Sequence, residues 1–258
     1  MTHHASSALI DEWKAEERRP FAGWDFSYLN DKWTDEKPPW SYEDLVRAVL
    51  RGSSSVLDVG TGGGERLLSL RAALPATVVA TEGYPPNLAL ARQRLAPLGA
   101  QVLAAESSLR GRLPVPDAAF DVVLNRHSGL NISEVGRVLR PGGTLLTQQV
   151  DGTSLQDLMA AFDSKPKWPW STLDFYLDLL GSAGLGADLA EEWTGRLIFK
   201  SVGALVYYLR AVPWLVDGFS VATHLPYIEQ QQARLEQDGQ LVFSQKLFVL
   251  RAKKAPTP

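Results

Sequence analysis

The sequence predicts an α/β fold with a mostly parallel sheet flanked by helices, on three observations. Between residues 41 and 150, short apolar segments alternate with segments of helical periodicity, as in successive βαβ units. The apolar strands are continuous, which is typical of a parallel sheet covered on both faces. Of 24 aromatic residues, only Tyr42, Tyr84 and Phe120 lie in that span, which indicates a compact core between aromatic-rich flanks.

The elements of this core follow one another in a regular order. Residues 41–51 carry apolar side chains at helical spacing, with Ser41 as a suitable N-cap and two acidic residues in the first turn. The same patterns predict strands at 55–59, 77–81, 101–105, 120–124 and 144–149, and helices at 65–73, 86–95 and 133–139. Right-handed crossovers are expected between the parallel strands.

After residue 150 the pattern changes. We predict helices at 171–183 and 201–211, strands at 193–199 and 240–252, and a polar segment at 224–238. Residues 200–239 interrupt what should be a direct connection between the last two strands, so they are interpreted as an inserted cap. The predicted organisation is an N-terminal lid or flank (1–40), an α/β core (41–199), the inserted cap (200–239), and the last core strand with a tail (240–258).

Composition excludes several classes of protein. The 258 residues include no cysteine, so disulfide frameworks, cysteine-ligated zinc and thiol nucleophiles are impossible. The formal net charge of −3 gives no basic excess for binding nucleic acid through phosphates. No apolar run approaches the roughly 18 residues that span a bilayer, and the N-terminus lacks the apolar core of a signal peptide. We therefore expect a cytoplasmic protein with no bound metal.

A glycine-rich loop, Asp58–Gly64, follows the first core strand. Glycines permit positive φ and let a backbone approach a ligand closely, and before a helix they leave N–H groups available. Glu65 stands where the third glycine of a dinucleotide-binding fingerprint should be, which weakens an NAD-binding interpretation. The pattern present is D-x-G-x-G-x-G.

This pattern resembles the first motif of the class I, Rossmann-like, S-adenosylmethionine (SAM) dependent methyltransferases. Four further resemblances follow in the family's order: Glu82 closing the second strand, Glu106-Ser107 after the third, FDVVLN at 120–125, and LRPGGT at 139–144. Together they cover about residues 52–150. The resemblance implies the family's fold, SAM as the cofactor and S-adenosylhomocysteine (SAH) as its product.

The resemblance also implies a set of cofactor contacts. Asp58 would orient the methionine ammonium and Glu82 would accept the ribose hydroxyls. Asp58 could instead cap the turn, and loop backbone could replace the Glu106 and Ser107 side chains at the adenine. The full predicted set is Asp58, Gly60, Thr61, Gly62, Glu82, Gly83, Glu106, Ser107 and Asn125.

The exit of the fourth strand, Asn125–Gly129, is where such proteins present the acceptor. It departs from the (D/N)-P-P-(Y/F/W) motif of exocyclic-amine methyltransferases and lacks the acidic cluster of metal-dependent catechol methyltransferases. His127 is the candidate base, because imidazole titrates near neutral pH, or it only shapes the pocket. Arg126 could hold an anionic acceptor or pair with a core carboxylate.

Aromatic residues outside the core are candidates for acceptor binding. Trp24 and Tyr28 lie in a flank expected to fold over the cofactor, and Tyr207 lies in the inserted cap. Aromatic stripes of this kind are also typical of a hydrophobic core or of a dimer interface. The protein is expected to be a monomer or a homodimer.

The sequence thus favours a SAM-dependent methyltransferase with an unidentified acceptor. The acidic balance and the lack of an appended basic domain favour a small molecule over nucleic acid. An RNA or protein methyltransferase, a non-catalytic SAM-binding subunit and, least favoured, an NAD-dependent oxidoreductase stay open as alternatives.

Overall fold

The computed structural model describes residues 5–21 and 24–256. Residues 1–4 and 22–23 of the predicted N-terminal flank, and the last two residues of the predicted tail, lie outside this range. The described residues form one sheet in the order β1-β7-β8-β6-β5-β2-β3-β4. Its strands are β1 Trp33–Asp35, β2 Ser55–Val59, β3 Thr77–Glu82, β4 Gln101–Ala104, β5 Phe120–Arg126, β6 Leu139–Val150, β7 Leu185–Phe199 and β8 Leu241–Lys254.

Five consecutive strands of this sheet, β2 to β6, run parallel. β2 lies between β3 and β5, with Val59 level with both Thr81 and Asn125. β4 and β6 extend the parallel set on either side, and β8 pairs antiparallel with β6. The carboxyl ends of β2, β3, β4 and β5 therefore meet at one edge, where open α/β sheets bind ligands. The predicted fold class, a Rossmann-like mostly parallel sheet flanked by helices, is confirmed.

The helices begin where polar side chains cap them. Ser41, Asn131, Thr172 and Ser201 each accept a backbone N–H from the first turn of the helix that follows. The helices in the described residues are α1 Ser7–Glu17, α2 Tyr42–Leu50, α3 Glu65–Ser69, α4 Pro85–Leu95, α5 Ile132–Val138, α6 Gln156–Ala160, α7 Leu173–Leu180, α8 Val202–Ala211 and α9 Leu225–Asp238. The structure adds α1, α6 and β1 to the sequence prediction, and it folds the predicted polar segment as α9.

The chain divides into two compact units. The first comprises Pro39–Asp151, Trp170–Trp193 and Leu247–Pro258, and the second comprises Met1–Pro38, Gly152–Pro169 and Thr194–Lys246. These boundaries differ from the predicted ones, since residues 152–169 and 194–199 group with the N-terminal segment. Residues 200–239 do lie between β7 and β8 as α8 and α9, and their role as a cap stays a prediction.

Each unit has a core of its own kind. In the first, alternate residues of β2 enter different clusters, Val56 one and Leu57 the other, so the sheet is covered on both faces. The core of the second contains many of the aromatic residues that the sequence placed outside the central span, including Trp13, Phe199, Tyr207 and Phe243. Among the described residues, no helix has both the length and the apolar character needed to cross a membrane.

Candidate cofactor and active site

The glycine loop between β2 and α3 depends on left-handed backbone. Gly60, Gly62 and Gly64 have φ of 74°, 63° and 82°, a region that residues with a Cβ rarely adopt. The N–H groups of Gly60 and Thr61 both donate to the Thr81 carbonyl, at 3.0 and 2.9 Å. These two N–H groups therefore tie the loop to the end of β3, and the expectation that the loop N–H groups are available to a ligand does not hold for Gly60 and Thr61.

Glu82, the last residue of β3, is held by the same loop. Its Oε2 accepts the Gly62 N–H at 2.8 Å, and its Oε1 accepts the Tyr84 N–H at 2.7 Å. The side chain is buried, yet each carboxylate oxygen can accept a further hydrogen bond. Glu82 is thus fixed in orientation with capacity left for the hydroxyl groups of a ligand.

Asp58 is a second buried carboxylate next to Glu82. Burial raises its pKa to about 6; a contact with the Thr61 side chain opposes this rise, and the Glu82 charge adds to it. Among the described residues, no lysine or arginine forms an ion pair with Asp58. A positively charged ligand group at this position would lower the electrostatic cost of holding two neighbouring carboxylates.

The loops after β2, β4 and β5 converge on Gly60. A Cβ at this position would overlap the Ser128 hydroxyl oxygen and lie 2.7 Å from Ser107 Oγ, so only glycine fits. The Ser107 oxygen is buried and has no hydrogen-bond partner within the described ranges. An unpaired buried hydroxyl carries a free-energy cost that a polar ligand would remove.

These residues fit S-adenosylmethionine. Its ammonium group matches the buried carboxylate of Asp58, its ribose hydroxyls match Glu82, and its polar atoms match the unpaired Ser107 hydroxyl. The chain therefore presents carboxylates for the ammonium and ribose groups of this cofactor and an unpaired hydroxyl for one more of its polar atoms.

Gly83 and Glu106, two of the predicted cofactor contacts, lie where the loops after β3 and β4 pack together. A Cβ on Gly83 would lie 2.9 Å from Glu106 Cα, so this glycine allows the loops after β3 and β4 to pack together. The Glu106 side chain is exposed. Their contact with a cofactor stays a prediction.

Asn125 is fully buried at the end of β5, where it braces three strands. Its Nδ2 donates to the Val59 carbonyl at 3.0 Å and to Ser128 Oγ at 2.7 Å. Its Oδ1 accepts from the Thr147 hydroxyl at 2.8 Å and from Gln149 Nε2. Because all of its polar side-chain atoms have protein partners, Asn125 positions the surrounding backbone; a direct contact with the cofactor stays a prediction.

His127 follows β5 in a left-handed conformation, with φ of 54°. Its N–H donates to the Gln148 carbonyl on β6, and its ring Nε2 lies 2.9 Å from Gln148 Nε2. Gln148 Oε1 in turn accepts the indole N–H of Trp40 at 2.8 Å. Sequence reasoning singled out His127 but missed Gln148 and Trp40. The register of β5 and β6 brings Gln148 to His127, and Trp40 contacts Gln148 from the segment before α2.

Arg126 lies beside an aromatic ring that packs on the same edge. Its guanidinium is 5.9 Å from the ring centre of Tyr42, within the range of a cation–π interaction. The Tyr42 hydroxyl donates to the Asn125 carbonyl at 3.1 Å. Burial, reinforced by the Asp58 charge, raises the pKa of Tyr42 well above its usual value, so this phenol stays neutral.

The remaining predicted acceptor contacts belong to the second unit. Tyr207 is buried, with its ring centre 4.8 Å from that of Tyr28, whose hydroxyl donates to the Glu16 carboxylate. Trp24 is about half exposed and lies 5.5 Å from Trp214, ring centre to ring centre. Tyr207 and Tyr28 thus belong to that unit's core, whereas Trp24 is an exposed residue packed on Trp214. The role of all three in binding an acceptor stays a prediction.

Comparison with known proteins agrees with this geometry. Residues 56–143 match the family described as "Methyltransferase domain". Two proteins named demethylmenaquinone methyltransferase, from Thermus thermophilus and Deinococcus radiodurans, are each 34% identical, over 115 and 117 residues. These matches cover 42% of this chain and 52% and 47% of the relatives, so the chain spans about half the length of the curated relatives it matches.

Solved structures share the fold at lower identity. A provisionally assigned methyltransferase from Bacillus halodurans matches with a TM-score of 0.58 at 19% identity, covering 84% of this chain and 99% of that one. A functionally unknown protein from Deinococcus radiodurans matches with a TM-score of 0.58 at 15% identity, covering 96% and 97%. A geranyl diphosphate methyltransferase in complex with GPP and sinefungin matches with a TM-score of 0.51 at 15% identity, covering 83% of this chain and 77% of that one.

Residues 56–143 therefore carry a methyltransferase domain, and the chain has the Rossmann-like fold of these solved structures. The family match begins in β2 and ends inside β6, so the methyltransferase domain includes all nine predicted cofactor residues and His127. Trp40 and Gln148, which hold His127, lie just outside the matched range on either side.

Proposed function

We propose that this chain transfers a methyl group from S-adenosylmethionine to a small-molecule acceptor. The observation that carries the proposal is the pair of adjacent buried carboxylates, Asp58 and Glu82, on a glycine loop with no protein cation paired to Asp58 in the described part of the chain. The methyltransferase names of the relatives and the acidic net charge of −3 support the same activity and a small acceptor.

On the donor side of the site, the side chains bind and orient the cofactor. The Asp58 carboxylate attracts the ammonium group, while Glu82, fixed by the Gly62 and Tyr84 N–H groups, accepts the ribose hydroxyls. Ser107 Oγ offers one more hydrogen bond. When bound, the cofactor supplies a methyl group already activated as a sulfonium, so alignment by the protein accounts for most of the catalysis.

The acceptor side lies at the carboxyl end of β5. His127 is exposed there, and Arg126 is half-buried beside it. A nucleophilic acceptor needs only to be held in line with the donor methyl, and a base is required only if the acceptor must lose a proton. Demethylmenaquinone, the compound in the relatives' name, is the first acceptor to test.

Titration calorimetry with SAH tests the cofactor assignment. Glu82→Ala removes the acceptor of the ribose hydroxyls and should weaken SAH binding by roughly 1–3 kcal/mol. Glu191→Ala, an exposed carboxylate on β7, is the matched control and should bind SAH like the wild type. Unchanged SAH affinity in Glu82→Ala, or tighter binding of NAD than of SAH, would overturn the assignment.

A transfer assay with methyl-labelled SAM tests the activity. Small phenols, quinols and carboxylic acids form one panel of acceptors, and RNA and protein lysates form the other. Label in a small molecule supports the proposal. Label in RNA or protein supports the alternative acceptors, and SAH binding with no labelled product in either panel supports a non-catalytic SAM-binding subunit.

A further inference from the structure

A line of hydrogen bonds runs from Trp40 through Gln148 to His127 in the first unit. The indole nitrogen of Trp40 lies 2.8 Å from Gln148 Oε1, and Gln148 Nε2 lies 2.9 Å from His127 Nε2. Gln148 is buried, so water does not compete for its amide. The direction of each bond can be assigned from the chemistry of the groups.

An indole N–H can only donate, so the atom of Gln148 facing Trp40 must be the amide oxygen. The opposite orientation of the amide would place two donors against each other. The amide nitrogen of Gln148 therefore faces the imidazole and donates to it. His127 Nε2 must then carry a lone pair, and the proton of a neutral ring is on Nδ1.

We infer that Trp40 and Gln148 are positioning residues that hold His127 as the neutral Nδ1–H tautomer, which makes it a hydrogen-bond donor to the methyl acceptor. The backbone reinforces this arrangement, since the His127 N–H donates to the carbonyl of the same Gln148. Both interactions follow from one register of β5 and β6, in which Arg126 is level with Gln148.

The consequence concerns the choice between a base and a residue that orients the acceptor. A general base needs a free lone pair, and the lone pair on Nε2 is occupied by the Gln148 amide. The Nδ1–H group can instead donate to an oxygen of the acceptor. This role rests on the proposed function and predicts an acceptor with a carbonyl, hydroxyl or carboxylate oxygen near the methylated atom.

Nitrogen-15 NMR of the full-length protein tests the tautomer without any activity. In the wild type near neutral pH, the His127 ring should give the signature of a neutral imidazole protonated on Nδ1. Gln148→Glu replaces the donor with a carboxylate, which should shift the proton of His127 to Nε2 or produce imidazolium. Trp40→Phe removes the donor that fixes the amide, so both tautomers should appear.

His224 provides a matched control in the same spectra, because it contacts Thr223 Oγ1 and takes no part in the hydrogen bonds between Trp40, Gln148 and His127. Its signals should be unchanged in both variants. A wild-type His127 ring protonated on Nε2, or a Trp40→Phe variant with unchanged His127 signals, would overturn the inference. This NMR test of the His127 tautomer does not depend on whether the chain transfers a methyl group.

Kinetics test the donor role once an acceptor is found. His127→Asn keeps a donor near the Nδ1 position and tolerates the left-handed backbone, so its KM should stay close to that of the wild type. His127→Leu removes the donor and should raise the acceptor's KM roughly tenfold, with a smaller change in kcat. A large loss of kcat with a flattened pH profile in His127→Asn would instead identify a base and overturn the inference.

Discussion

The two ends of the parallel sheet each hold an aspartate, and the surroundings shift the pKa of these two side chains in opposite directions. At the amino end, Asp121 of β5 accepts the Ser54 N–H at 2.8 Å and the Ser54 hydroxyl at 2.6 Å, and pairs with Arg140 at 2.8 Å. Despite an opposing effect of burial, these bonds hold the pKa of Asp121 far below its usual range. At the carboxyl end, burial raises the pKa of Asp58 to about 6.

The difference separates residues that stabilise the fold from residues that are ready for a ligand. The ionised form of Asp121 is satisfied by protein groups, whereas the ionised form of Asp58 lacks a cationic partner in the described structure. Both belong to sequence motifs that first suggested the family, as does Arg140. Motif residues at the amino end thus support the sheet, and under the proposed function those at the carboxyl end bind the cofactor.

Gly62→Val should cause the largest loss of cofactor binding at the carboxyl end of the sheet. A side chain at φ of 63° strains the loop and displaces the N–H that fixes Glu82, so SAH affinity should fall roughly 100-fold, or ~3 kcal/mol. Gly52→Val is the matched control, because it has φ of 79° but open space around its Cβ position. Calorimetry that finds equal SAH affinity in both variants would contradict the role of the loop.

Asp58→Asn should reverse the usual effect of a mutation by stabilising the protein. A rise in pKa from 3.8 to about 6 means that the ionised carboxylate opposes folding at pH 7, by up to ~3 kcal/mol. Denaturant unfolding should show that gain at pH 7, and the gain should disappear as the pH falls below about 4. SAH binding should weaken in the same variant, while Glu192→Gln, at an exposed position on β7, should change neither quantity.

Asp121→Asn, at the amino end of the sheet, should instead destabilise the protein. Loss of the charge-assisted bonds to Ser54 and Arg140 should lower the free energy of unfolding by about 2 kcal/mol at pH 7. Because the folded-state pKa of Asp121 is lowered, its stabilisation is present above the unfolded value and is lost as the pH falls, so wild type and variant should converge in acid. SAH affinity at pH 7 should stay within twofold, and a larger loss would remove the distinction between the two ends.

The pH dependence of SAM binding is the smallest of these effects. If the ammonium group binds the ionised form of Asp58, affinity should fall about tenfold between pH 7.5 and pH 5, as the carboxyl becomes protonated. Calorimetry in buffers with different ionisation enthalpies should also detect proton release on binding near pH 6. Asp58→Asn should flatten the profile, and a wild-type profile that is already flat would show that Asp58 does not face the ammonium group.

Sequence patterns predicted the parts of the fold that depend on local order. The strand Ser55–Val59 and the helix after Ser41 have the expected apolar runs and cap, and they form as predicted. The helix α1 was missed because its charged sequence buries only Trp13, and β1 because three residues give no detectable alternation. Each of these elements depends on distant contacts rather than on its own periodicity.

In the candidate site, too, the sequence did not reveal contacts between residues that are distant along the chain. The cofactor residues lie within short motifs, so the order of the motifs along the chain was enough to bring them together. Gln148 is 108 residues from Trp40 and 21 residues from His127 along the chain, and the register of β5 and β6 brings it to His127. The raised pKa of Asp58 likewise follows from burial, which a motif does not reveal.

The short strand β1 ends the sheet, and this affects how copies of the chain can associate. Its three residues leave few backbone groups for another strand to pair with, and Pro38 and Pro39 follow soon after. Glu36 forms an ion pair with Arg196 beside it, and charged side chains at an edge discourage strand addition. The strand β1 itself is therefore a poor place for a second copy of the chain to add a strand.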